Sequence, residues 1–110
     1  MEILALKKHC IITPLSPKLD LREADKIVEA AKSFKDVLVG FDLSYVKDCT
    51  FEFIEEIKKL EYVSLFNITS DIFALLTLMN LDKKFNIYVS KNDFLENKHR
   101  ILNRNLTLLN

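Results

Sequence analysis

The stretch "VLVGFDLSYVKDCTFEFIEEIKKL", residues 37–60, reads as a strand, a turn and a helix in succession. Val37 to Phe41 is an apolar run without polar alternation, the pattern of a strand covered on both faces. Asp42-Leu43-Ser44-Tyr45-Val46 leads out of it. From about Phe51 to Leu60 the apolar residues Phe53, Ile54, Ile57 and Leu60 recur at helical spacing. Glu52, Glu55, Glu56, Lys58 and Lys59 take the wet face, acidic first and basic last, as the helix dipole favours. The joint Asp48-Cys49-Thr50-Phe51-Glu52 falls where an α/β domain carries its reactive or binding groups. Three roles are open to it: to do chemistry, to accept a phosphate, or to touch a partner.

Upstream, Ile3 to Leu6 and Cys10 to Thr13 are short apolar runs parted by Lys7-Lys8-His9, which predicts a hairpin or one interrupted strand. Pro14 and Pro17 then stop strand pairing. Asp20 with Glu23 forms a capping box ahead of Leu21, Ala24, Ile27, Val28, Ala31 and Phe34, a first helix over about 20–34. Downstream come a strand at Tyr62 to Phe66, the loop Asn67 to Ser70, and an apolar helix at Ile72 to Met79 closed by Asn80. A strand at Phe85 to Val89 follows, then a helix opened by Ser90-Lys91-Asn92-Asp93 that runs to about Asn103. The tail either frays or docks through Leu106, Leu108 and Leu109. The order predicts one α/β domain over residues 1–110, its core at about 3–97. A mostly parallel sheet of four to five strands and about four helices would build it. Its binding loops would then be "PLSPKLD", "DLSYVKDCT" and "NITS", all at the carboxyl ends of strands.

Bulk composition narrows the function. The 110 residues are 49% apolar and 29% charged, an ordinary globular balance. Sixteen basic and sixteen acidic residues cancel, so no basic face for nucleic acid is expected, and a homodimer meets little charge repulsion. Gly40 is the only glycine, which excludes the glycine-rich phosphate loops. The two far-apart cysteines, Cys10 and Cys49, fit a reduced, cytoplasmic protein. Lys7, Lys8 and His9 interrupt the apolar N-terminus, so it does not read as a secretory segment. The run Ile72 to Leu81 is half a membrane span, so no membrane insertion is expected.

Catalytic chemistry finds little support. His9 and His99 stand at opposite ends of the chain, and neither cysteine has a close-spaced partner, so no metal or cofactor is expected. Cys49 precedes a helix start, where the dipole lowers a thiol pKa, yet no nucleophile signature accompanies it. A small buried thiol is the commoner case. Glu55 and Glu56 diverge by about 100° around a helix and read as a solvated face. Phe51 and Phe53 both read first as core; they diverge around the helix too, and an exposed Phe51 would instead mark a contact surface. With no convergent acid, base and nucleophile, a non-enzymatic role is expected.

These residues resemble the STAS domain family, which includes the bacterial anti-sigma factor antagonists. Asp42-Leu43-Ser44-Tyr45-Val46 matches the family's Asp-Leu-Ser-x-Val element, and Val37 to Phe41 matches the strand before it. "PKLDLREADKI" (17–27) is similar to the family's Gly-x-Leu-Asp and first helix, with Pro17 for the glycine and Asp20 kept. "EYVSLFNITSDIFALLTLMNLDKKFNIYVSKNDFL" (61–95) is similar to its later strands, Asn-containing loop and helices. The resemblance spans about residues 3–97 and implies a STAS-like fold and a partner-switching role. In regulatory members a serine at the start of the second helix is phosphorylated by a kinase that is itself the anti-sigma factor.

This chain departs from the pattern there. Without gaps, the family's Asp-Ser-Ser-Gly falls on Thr50-Phe51-Glu52-Phe53, which removes the acceptor serine. A two-residue gap puts Asp48-Cys49-Thr50-Phe51 on the motif, with Cys49 at the acceptor position and Thr50 beside it, so the serine is absent there too. The gapless register better keeps Ile54 and Ile57 at buried helical positions and is preferred. The resemblance thus implies a module that binds a kinase-type anti-sigma partner without the standard phosphoswitch. Its expected partner face is Asp20, Asp48, Cys49, Thr50, Phe51, Glu52, Phe53, Asn67, Thr69 and Ser70. Two alternatives remain: a STAS subunit that binds the ATPase of an ABC-type lipid transport complex, or a phosphoswitch moved to Thr50 or Ser44.

Overall fold

The computed structural model describes residues 1–97. The strands are β1 (Glu2–Ala5), β2 (His9–Thr13), β3 (Lys18–Leu19), β4 (Leu38–Asp42), β5 (Asp48–Cys49), β6 (Ser64–Phe66) and β7 (Asn86–Tyr88). The helices are α1 (Leu21–Lys32), α2 (Phe51–Ile57), α3 (Ser70–Leu78) and α4 (Lys91–Leu95). The expected continuation of the last helix to Asn103 and the tail with Leu106, Leu108 and Leu109 lie outside the described residues.

β1 and β2 form an antiparallel hairpin, closed by the Leu6 N–H donating to the His9 carbonyl at 2.8 Å. The main sheet is mixed, with strand order β1-β2-β4-β6-β7. The pairings β2–β4, β4–β6 and β6–β7 are parallel. The helical connections between these strands are what parallel neighbours require. β3 and β5 pair parallel in a separate two-stranded sheet. Pro17 was expected to end pairing, but it precedes β3 and leaves the Lys18 and Leu19 N–H groups untouched.

The sheet has two unequal cores. Cys10, Ile12, Phe41, Leu65 and Ile87 are buried with Ala24, Ile27, Val28, Phe53, Ile54, Ile57, Ile72 and Leu76 of the first three helices. Alternation turns Ile11, Phe66 and Tyr88 to the other face, where they pack on Phe94 of α4. Gly40 lies beneath that ring, and a Cβ on it would come within 2.7 Å of Phe94. The run from Val37 is therefore not covered on both faces throughout. Leu38, two residues ahead of the Gly40–Phe94 contact, stays exposed.

Hydroxyls and a carboxylate start the helices. Asp20 accepts from the Arg22 and Glu23 N–H groups (3.0 and 3.2 Å), and Thr50, Thr69 and Ser90 cap α2, α3 and α4. Two ends differ from expectation. α1 stops at Lys32, where Ser33 bonds back to the Ala30 carbonyl through both N–H and hydroxyl. α2 stops at Ile57 and tightens into three-residue turns through Lys59 and Leu60. α3 closes on Asn80 with φ 60°, the left-handed conformation Asn tolerates.

Candidate functional site

Because β2, β4 and β6 run parallel, the loops after them emerge at one edge of the sheet. Backbone and side-chain bonds lace these loops together. Lys47 and Asp48 N–H groups donate to the Pro17 carbonyl at 2.8 and 3.2 Å, and Thr50 N–H donates to Leu19 at 2.9 Å. The Thr69 hydroxyl donates to the Lys47 carbonyl at 3.1 Å. Asn67 stands at φ 58° and donates its side-chain amide to Asp42 Oδ1 at 3.1 Å. The same carboxylate oxygen accepts the Ser44 N–H at 3.0 Å. Asp42 thus pins the turn on its own strand to the loop after the neighbouring strand. Each bond crossing between loops adds on the order of 1 kcal/mol and holds the edge in one shape.

The start of α2 sits on this frame. Thr50 Oγ1 accepts the Phe53 N–H at 3.1 Å, so the hydroxyl serves as the helix cap. Phe51, the first helical residue, is 53% exposed, and Glu52 beside it is exposed as well. Asp20, Asp48 and Ser70 are exposed, while Thr50, Asn67 and Thr69 are half-buried in the lacing.

Two members of the expected partner face point the other way. Cys49 is 5% exposed and Phe53 2%, and both belong to the main core. Neither side chain is offered to a partner, because the β3–β5 pairing turns Cys49 inward and the α2 stripe does the same for Phe53. Burial, and then the carboxylate of Asp48, push the Cys49 thiol up to about 12. Both effects disfavour the thiolate, so the thiol stays protonated and non-nucleophilic at neutral pH. Burial also raises Cys10.

No protein-family model matches the sequence, and no curated protein matches it either.

The edge carries features the sequence did not flag. A groove of about 470 Å³ lies between the starts of α1 and α2, lined by Asp20, Leu21, Arg22, Asp25, Thr50 and Glu52. Leu21 was expected in the buried stripe of its helix, but as the first residue of α1 it stays exposed. Tyr45, in the turn after β4, is exposed too. The signal for Tyr45 was its place in a turn between two buried apolar residues, Leu43 and Val46. A larger groove of about 840 Å³ lies at the other end of the strands, around Leu38, Ser64 and Asn86, and shares no residue with the loops. Among the described residues, no three His, Cys, Asp or Glu side chains gather to hold a metal ion. No helix among them is long and apolar enough to cross a membrane.

Proposed function

We propose that this chain is a non-enzymatic, cytoplasmic regulatory module of the STAS kind that binds a kinase-type anti-sigma partner without a serine phosphoswitch. The observation that carries this reading is the exposed Phe51–Glu52 pair at the start of α2, the position where the resemblance expects the acceptor serine. A phenyl ring held half in water on a rigid frame is a contact residue, since burying it on a partner is favourable and its backbone is already ordered. Glu52 carries one fixed negative charge there, against nearly two for a phosphate. Leu21 and Asp20 on the next helix start extend the same face, so the partner meets apolar anchors rimmed by carboxylates.

Binding of purified kinase-type anti-sigma proteins, measured by calorimetry, tests this. Phe51→Asp with Glu52→Lys is expected to weaken binding about 30-fold or more, as loss of an aromatic anchor does. Binding that survives the double change means that this face is not the interface. Binding to the ATPase of a lipid transporter instead would move the module to that setting with the face unchanged.

A relocated phosphoswitch is favoured at Ser44 over Thr50. Ser44 is exposed, while the Thr50 oxygen is occupied as the α2 cap. Incubation with the partner kinase and ATP should then add about 80 Da to the wild type and nothing to Ser44→Ala.

A further inference from the structure

We propose that the chain forms a reversible homodimer by antiparallel pairing of β1 with β1 of a second copy, which joins the two five-stranded sheets into one. β1 is the edge strand beyond β2, and among the described residues nothing pairs with its outer side. Sheets usually blunt such an edge with proline, inward charges or a bulge. β1 is short and carries Glu2, but it has neither a proline nor a bulge. Ile3 and Leu4, on opposite faces of the strand, are 47% and 48% exposed, and Met1 and Leu6 flank them exposed as well.

The backbone fixes the register. The Leu6 N–H donates to the His9 carbonyl, so Leu6 and His9 form a hydrogen-bonded pair of the hairpin. Alternation along an antiparallel ladder then makes Leu4–Ile11 and Glu2–Thr13 the next such pairs. The N–H and C=O groups of Ile3 and Ala5 consequently point outward. Two copies satisfy these groups when Ile3 faces Ala5 of the second copy and Leu4 faces its own counterpart across the twofold axis. In that register Glu2 lies opposite Leu6 of the second copy, beside its Lys7-Lys8 turn. Among the described residues Glu2, Lys7 and Lys8 have no ion pair within their own chain. The antiparallel pairing brings these opposite charges together twice, once at each end of the strand. A parallel approach would set like charges beside each other instead, so the charge pattern selects self-pairing of this hand. The zero net charge of the chain adds no general repulsion.

A four-residue strand buries less than the ~1,200 Å² of a standard stable interface, so the dimer should dissociate in the micromolar range. Sedimentation of the full chain from about 1 to about 500 µM tests the proposal, because that range brackets such a constant. Wild type is expected to pass from one chain mass to twice that mass. Ile3→Pro removes only an outward N–H, keeps the β1–β2 ladder and is expected to remain monomeric with unchanged circular dichroism. Glu2→Lys should weaken the dimer about 10-fold, and adding Lys7→Glu and Lys8→Glu should restore it. A wild type that is monomeric throughout overturns the proposal, and so does a dimer indifferent to Ile3→Pro. A triple charge variant that stays as weak as Glu2→Lys overturns the register. The charge variants lie at exposed positions, so they keep the test decisive even where the proline variant fails to fold.

Discussion

Cys49 is only 5% exposed, with its N–H bonded to the Asp48 carboxylate at 2.8 Å, and that burial decides how the residue responds to pH. The unfolded thiol ionises near the ordinary value of 9.0, whereas the folded one keeps its proton up to about 12. A group whose folded pKa is raised contributes fully below the unfolded value, and its contribution is lost as pH climbs through that window. Urea unfolding between pH 8 and 11 should therefore show stability falling by about 1 kcal/mol per pH unit above pH 9 from this one proton. Cys49→Ala is expected to be less stable at pH 7 because of the cavity, yet to fall less steeply at high pH. Equal slopes for both proteins would assign the alkaline loss to other groups. The sequence placed Cys49 beside a helix start but did not show which way its side chain pointed. Its orientation follows from β5, a two-residue strand too short to carry a periodic signal. Phe51 and Phe53 were legible as divergent, since residues two apart on a helix do not face the same way. Which of them was buried depended on where α2 docks.

α4 is five residues long, and Phe94 is its buried contact with the sheet. Phe94 stacks on Phe66 at 5.4 Å and meets Tyr88 and His9 edge-on at 5.4 and 5.2 Å. Beneath it, Gly40 has an ordinary negative φ, so glycine is needed there for space and not for backbone freedom. A methyl at position 40 would come within 2.7–3.0 Å of three ring carbons that three aromatic neighbours hold in place. Gly40→Ala should cost about 1–3 kcal/mol in chemical denaturation, the usual penalty for overpacking a filled core. Phe94→Leu in that background should recover part of the loss, because the smaller side chain vacates the contested volume. Simple additivity of the two changes would mean that the ring does not cause the strain. At this scale the sequence was informative wherever an apolar stripe was long. α1 and α3 and the main strands appeared close to their observed positions. The ends of α1 and α2 were misplaced because Phe34 and Leu60 continue the apolar spacing past the last helical turn. Both pack against the core from a turn instead.

The whole molecule is a sheet with a large core on one face and a small one on the other. Three helices and the loop edge share the first core, which includes Phe53, Ile54, Ile57, Ile72 and Leu76. The second is Ile11, Phe66, Tyr88 and Phe94, with Leu95 at its margin. Free energy of opening follows buried apolar area, so the two faces should not open together. The candidate partner loops are laced together over the large core through Thr50, Asn67 and Thr69, whereas α4 packs on the small core, with Phe94 as its buried residue. Native-state hydrogen exchange should resolve two units. The Phe94, Glu96 and Asn97 amides, whose bonds close α4, are expected to exchange through a sub-global opening. Amides of Gly40 and Phe41 at the sheet centre should need global unfolding. Phe94→Ala removes about 3–5 kcal/mol from the small core alone. It should leave α4 amides nearly unprotected while β2 and β4 stay protected and the Phe51–Glu52 face keeps its binding strength. If α4 and β4 amides instead lose protection together, the two faces form one cooperative unit, and the division into separate cores has no energetic meaning.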